Sequence, residues 1–244
     1  MNLGRRIWIA GRHVKNLVLY GNITPSFFFL DKTRYLAYLN NSKVACSSIK
    51  ASMYKIRVDN TDNDDAFNLA KTTLGKRVVA NFEFSDYFKF TFVRNPFERI
   101  FSCYYDKVLN PKGKLYFYRD YLFGYIKEGE SFETFVEKAC KISDRLADGH
   151  FKSQYSLIYR KNKCLVDYIG KMELIQHDFE PLVDKYGLEK LPHYNKTAEQ
   201  SKPNPKDYYN LRLLDMVYER YKKDFDIWYP GAYELMRQSI SEKS

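Results

Sequence analysis

The sequence predicts a single α/β domain with a central parallel sheet flanked by helices. Three observations predict it. The chain of 244 residues can bury a full core. Apolar, strand-like runs alternate along it with amphipathic helical runs, and at two places a strand runs directly into a helix. Such alternation requires crossover connections and therefore parallel strands, whose carboxyl ends are where ligands gather.

The elements follow in chain order. The opening "MNLGRRIWIAGRHVKNLVLY" is basic with scattered apolar residues; it can lie on a membrane surface, although docking onto the rest of the domain is the expectation. The run "LVLYGNITPSFFFL" is interrupted by Gly21, Asn22 and Pro25, is too short to cross a bilayer as a helix, and has no small-residue cleavage site. "TRYLAYLN" suits a buried strand, and Ile49, Met53 and Ile56 then recur at i, i+4 and i+7, so that a helix begins near Ser47.

After the acidic, Asn-rich "DNTDNDDAFN", the segments "KRVVANFEF" and "YFKFTFV" read as two strands. The second enters "RNPFERIFSCYYDKVL", where Pro96 fits a first helical turn and Phe97, Ile100, Phe101, Tyr104 and Val108 form the buried stripe. "PKGKLYFYRD" is a basic, aromatic loop, "SFETFVEKACKI" a short amphipathic helix, and "LVDYIGKMELI" a further strand. "FEPLVDKYG" is a helix closed by Gly187, and "LPHYNKTAEQSKPNPK" is a loop. The tail "DYYNLRLLDMVYERYKKDFDIWYP" places Leu211, Leu214, Tyr218, Tyr221 and Phe225 on one helical face. The pattern contains no repeat and no domain boundary.

A net charge of +10 suggests an anionic partner without choosing among nucleic acid, lipid, nucleotide and acidic polymer. Cys46, Cys103, Cys140 and Cys164 show no CxxC pair, so they read as reduced thiols of a cytoplasmic-type environment. His13, His150, His177 and His193 form no HxH or HExxH spacing, and no metal is expected.

The two strand-to-helix turns carry the chemistry. At the first, "NSKVACSS", a helix starting near Ser47 leaves its first N–H groups unpaired and its dipole positive, so the turn can bind an anion with Lys43, Ser47 and Ser48 adding charge and donors. Ser47 as a plain helix cap and Lys43 as a solvated lysine is the alternative. At the second, Arg94 and Ser102 stand eight residues apart, on the side of the helix away from the apolar stripe, and could share one phosphate. Pairing of Arg94 with Glu98, and of Ser102 with its own helix, is the alternative there.

"SKVACSSIK" followed by "FTFVRNPFERIFSCYYDK" resembles the sulfotransferase superfamily, in particular the carbohydrate sulfotransferases related to the chondroitin, dermatan, HNK-1 and heparan 2-O enzymes. Arg94, Pro96, Arg99, Ser102 and Tyr104 carry the match at the second motif, and it continues through "GHFKSQYSLI", "DYIGKMELIQHD", "LPHYNKT" and "YERYKKDFDIWYP". Residues 34–230 therefore read as the family-like core of one domain over 1–244, with 1–33 as an N-terminal extension.

The resemblance implies a fold like that of the P-loop kinases and 3'-phosphoadenylyl sulfate (PAPS) as co-substrate. It makes Lys43, Val44, Ala45, Cys46, Ser47 and Ser48 the loop for the 5'-phosphosulfate, Arg94 and Ser102 the clamp for the 3'-phosphate, and Asn195, Lys196 and Thr197 a segment that closes over the nucleotide. The first loop departs from many relatives in having no glycine and no proline before Lys43, and the chain has no GxxxxGK[ST].

Sulfuryl transfer moves a charged planar group in line onto an acceptor hydroxyl, so catalysis should rest on positioning and charge stabilisation. Lys43 is placed to neutralise the leaving phosphate. The resemblance implies a base on the strand before the Arg motif, where this chain has Asn81; Glu83, on the same strand face, is one substitute and His150 of "GHFKSQ" the other. A surface carboxylate and a packing histidine are their respective alternatives.

A cysteine-dependent phosphatase using Cys46 lacks the required arginine, since "CSSIKAS" ends in Ser52. A non-enzymatic nucleic-acid or polyanion-binding protein fits the charge and the 22 tyrosines but leaves both turns unexplained. The expectation is a PAPS-dependent, metal-free enzyme acting on a glycan or other hydroxyl, in a prokaryotic-type cytoplasm, with no nucleic-acid partner; peripheral membrane contact through the basic N-terminus is the alternative to its docking.

Overall fold

The computed structural model describes residues 3–54, 76–80, 85–109, 124–191 and 203–242. Along them run α1 (Leu3–Tyr20), β1 (Phe27–Asp31), β2 (Leu36–Leu39), α2 (Cys46–Tyr54), β3 (Lys76–Val79), β4 (Phe88–Val93) and α3 (Pro96–Tyr104). Then come α4 (Phe132–Lys141), α5 (Gln154–Ile158), β5 (Tyr159–Arg160), β6 (Lys163–Cys164), β7 (Tyr168–Lys171) and α6 (Ile175–Tyr186). The helices α7 (Leu211–Arg220), α8 (Lys222–Trp228) and α9 (Ala232–Ser241) close the chain. They gather into two compact units, one of Ser26–Arg94 and Leu157–Lys202, the other of Met1–Pro25, Asn95–Ser156 and Pro203–Ser244.

The first unit holds the sheet, in the order β3-β1-β2-β4-β7. The strands β2, β4 and β7 pair in parallel, β1 lies antiparallel to β2, and β3 lies antiparallel to β1, so β1 alone among these strands runs against the others. Every residue of β2 is buried, which is why "LAYL" is a continuous apolar run and not an alternating one. Phe28 and Phe29 of β1 are equally buried, so residues read from the sequence as an N-terminal extension supply a strand of the sheet. A fully buried phenylalanine stabilises by roughly 2–3 kcal/mol relative to exposure. On β7, a Cβ on Gly170 would stand 2.3 Å from the Phe92 ring, so this position on β7 accepts only glycine without displacing that ring. α2 and α6 add Ile49, Met53, Phe179 and Leu182 to the sheet's core, and Gly187 ends α6 in the left-handed region with its N–H on Val183 O at 2.8 Å.

The second unit is helical. Asn95 caps α3 by accepting from Phe97 N at 3.0 Å, and the stripe Phe97, Ile100, Phe101, Tyr104 and Val108 is buried, its last turn widened into a π-helix at Tyr105–Leu109. Phe97 packs on Phe225 of α8 with ring centroids 4.7 Å apart. Met236 and Ile240 of α9 join the same core.

The single apolar face expected of the tail needs correcting. Its helix is interrupted at Tyr221 (φ −114°, ψ 23°), so α7 and α8 are separate, and Leu211 is exposed while Leu213, Leu214 and Val217 face inward. The break turns Asp224 into the interior, where its carboxylate accepts from the N–H groups of Gln154 and Tyr155 at 2.8 and 2.7 Å. Ser102 also differs from expectation. It is buried, because α3 is enclosed on nearly every side and not along one stripe alone.

Candidate active site

The turn from β2 to α2 is fixed before it reaches any ligand. At its start the buried Asn41 donates from Nδ2 to Phe92 O at 2.9 Å, and the Thr91 hydroxyl donates to Leu39 O at 2.8 Å, which pins the carboxyl ends of β2 and β4 together. Lys43 (φ 69°) and Ala45 (φ 46°) then take left-handed conformations around the fully buried Val44. For residues other than glycine this costs about 1–2 kcal/mol each and persists only where surroundings impose it. Backbone that alternates between negative and positive φ turns successive N–H groups to one side, which makes an anion-binding concavity.

α2 starts immediately after this turn. Ala45 O accepts from Ile49 N at 3.0 Å, the first turn contains Cys46, Ser47 and Ser48 and no carboxylate, and all three are partly accessible. The positive end of the helix, two hydroxyls and the half-buried Lys43 therefore serve one short loop. Arg94, at the end of β4, reaches the same loop by donating from Nη1 to Lys43 O at 3.4 Å.

In the helical unit, His150 sits on a turn held from several directions. Asp148, itself buried, accepts from the His150 main-chain N–H at 3.0 Å and meets His150 Nδ1 at 2.5 Å. Burial pushes the Asp148 carboxyl up, but the charge and hydrogen bonds of His150, with the N–H of Gly149, hold it below the usual carboxylate range. The contact with the Asp148 carboxylate fixes the orientation of the His150 ring.

Arg99 is completely buried and donates from Nη1 to Lys152 O at 2.7 Å and from Nη2 to Gly149 O at 2.8 Å, so it bridges the residues on both sides of His150. The Tyr221 hydroxyl donates to Phe151 O at 2.5 Å. The sequence marked Arg99 as part of its motif but missed its partners, and it missed Asp148 altogether. The D-x-H spacing of "DGH" was the available signal.

Of the residues expected at the site, the structure brings Lys43 to Ser48 and Arg94 together within the sheet unit, and it places Ser102 and His150 in the helical unit. Glu83, with Asn81, and the closing segment Asn195, Lys196 and Thr197 lie outside the described residues. Among the described residues no disulfide joins the four cysteines and no group of three His, Cys, Asp or Glu is arranged to hold a metal ion. No helix among them is long and apolar enough to cross a membrane.

A model of the sulfotransferase family matches residues 26–230. Among characterised proteins the chain is similar to carbohydrate sulfotransferase 10 of Xenopus laevis, with 26% identity in an alignment 168 residues long that covers 59% of this chain and 47% of the relative. The chain thus spans about half the length of the curated relative it matches. No solved structure matches it at a comparable level.

Proposed function

The chain belongs to the sulfotransferase family, and from that premise we propose that it transfers the sulfuryl group of PAPS to a hydroxyl of a carbohydrate acceptor. One observation carries the reading: a glycine-free loop, left-handed at Lys43 and Ala45, opens onto the N-terminus of α2 and is touched by Arg94. Its donors, which are main-chain N–H groups, two serine hydroxyls, a lysine and an arginine, suit a phosphosulfate, and they suit no apolar ligand.

PAPS brings a sulfuryl group already bonded to a phosphate leaving group. In this reading the loop from Val44 to Ser48 binds and orients that phosphosulfate through N–H and hydroxyl donors, and Lys43 offsets the negative charge that grows on the leaving oxygen. The motif assigns Arg94 and Ser102 to the 3'-phosphate, and Asn195, Lys196 and Thr197 to cover over the nucleotide. His150 takes the acceptor's proton at Nε2 while Asp148 holds its ring and stabilises the imidazolium. The orientation of the His150 imidazole by a buried carboxylate supports this choice of base, with Glu83 as the alternative.

A polyanion-binding protein explains the net charge but not the paired turns, and both turns fall inside the family match. The similarity to a relative in Xenopus laevis does not fit the prokaryotic-type cytoplasmic setting. The test is calorimetric titration with adenosine 3',5'-bisphosphate, followed by an acceptor screen with sulfur-labelled PAPS. Micromolar binding and label on a glycan are expected. Binding of oligonucleotides irrespective of a 3'-phosphate, with no transfer, would overturn the reading.

A further inference from the structure

Helix α1 has two faces of opposite purpose. Inward, Ile9 and His13 are buried, Leu17 packs on the helical unit's core, and Asn16 Nδ2 donates to Ile23 O at 2.8 Å. Outward, Ile7, Val14 and Val18 fall at i, i+7 and i+11 on one stripe, with Trp8 and Leu19 beside it, and all are between 57% and 78% exposed. A helix that only docks on its own domain turns polar residues to water. This one turns a tryptophan and branched aliphatics outward.

The charges on the same helix indicate what covers that face. The helix carries Arg5, Arg6, Arg12 and Lys15 and no carboxylate, and the first acidic residue of the chain is Asp31. Arg12 stacks over the exposed Trp8 ring, 5.0 Å from its centroid, which places a cation at the border of the apolar stripe. Apolar residues that face outward and are bordered by cations match the interface of an anionic bilayer, in which the stripe enters the acyl boundary and the cations meet phosphates. A protein partner would require no such uniform sign of charge.

We propose that α1 binds the surface of anionic phospholipid membranes through Ile7, Trp8, Val14, Val18 and Leu19, assisted by Arg12 and Lys15, while its other face stays docked. Attachment is peripheral and falls with ionic strength.

The experiment uses the full chain with vesicles of phosphatidylcholine alone or with about 30% phosphatidylglycerol, read by co-sedimentation and tryptophan emission. Trp228 is buried, so a change in emission reports Trp8. A blue shift and at least about tenfold tighter binding on the anionic vesicles are expected, together with about tenfold loss in Val14→Asp/Val18→Asp and in Arg12→Glu/Lys15→Glu. Both pairs are to be checked for unchanged thermal unfolding, and Trp8→Ser serves as a third, milder variant. No binding to anionic vesicles, or equal binding by folded variants, overturns the proposal. A dimer in light scattering that Val18→Asp disperses overturns it too, assigning the stripe to a second copy.

Discussion

Arg94 Nη1 donates to the main-chain oxygen of Lys43 at 3.4 Å, joining two loops that lie 51 residues apart in sequence. The contact is at the long limit of a hydrogen bond and holds the guanidinium against the loop. Parallel pairing of β2 with β4 makes the contact possible, because it brings both carboxyl ends out on one edge.

Arg94→Ala should weaken adenosine 3',5'-bisphosphate by about 2–3 kcal/mol, the value of a lost charge-assisted contact, and leave the unfolding midpoint nearly unchanged. Arg94→Lys should recover only part, since it keeps the charge and loses the planar fork. Titration calorimetry checks both, and wild-type affinity in Arg94→Ala would remove the arginine from the site.

Lys43→Ala should lower kcat far more than it weakens PAPS binding, because its charge is needed most as the leaving phosphate develops charge. Rates within about threefold of wild type would reduce the loop to a helix cap.

The left-handed backbone gives a separate test at Ala45. Ala45→Gly should raise stability by about 1 kcal/mol with binding retained, as glycine accepts positive φ without a Cβ clash. Ala45→Val should lower both stability and affinity. Equal behaviour of the two variants, measured by denaturant unfolding and titration, would show that the turn is not held in this form.

These residues also show how far the sequence could be read. The strand β2 was legible as a short continuous apolar run, and β4, α2 and α3 from apolar residues spaced at strand or helix periods in the sequence. β1 was not, since "FFFLD" is recognisable as a strand only once the hairpin with β2 exists. The left-handed loop lacked the glycine that normally signals one. The break at Tyr221 leaves no trace in periodicity, because it goes with a distant contact, the inward turn of Asp224 to accept from the N–H groups of Gln154 and Tyr155. Lys43, Arg94 and His150 were readable as residue types in motifs, whereas Asp148 acquires its role only through burial beside His150.

His150→Ala should reduce turnover by about a hundredfold or more with PAPS affinity unchanged, and the acidic limb of the wild-type pH–rate profile should lie in the imidazole range. Asp148→Asn should cost less and move that limb to lower pH, since the carboxylate that favours the imidazolium is gone. Glu83→Gln should stay within about threefold of wild type. A collapse of turnover in Glu83→Gln with His150→Ala unaffected would transfer the base to Glu83.

Asp224 offers a pH test that does not depend on catalysis. Burial pushes its carboxyl up to about 6, against the N–H groups of Tyr155 and Gln154 and the charge of Arg99, which pull it down. The folded state therefore holds this proton more tightly than the unfolded chain does. Its stabilising contribution is complete below about pH 4 and is lost as pH rises through about 6. Asp144 and Asp148 behave oppositely; their folded values are depressed, so their contribution is present at neutral pH and lost in acid. Comparing wild type with Asp224→Asn cancels those two groups. The stability advantage of wild type over the variant should shrink by about 3 kcal/mol between about pH 4 and pH 7, the equivalent of roughly two pK units. Denaturant unfolding at several pH values measures it, and an advantage constant across that range would mean that Asp224 is ionised throughout and that its burial is offset by the two N–H groups it caps.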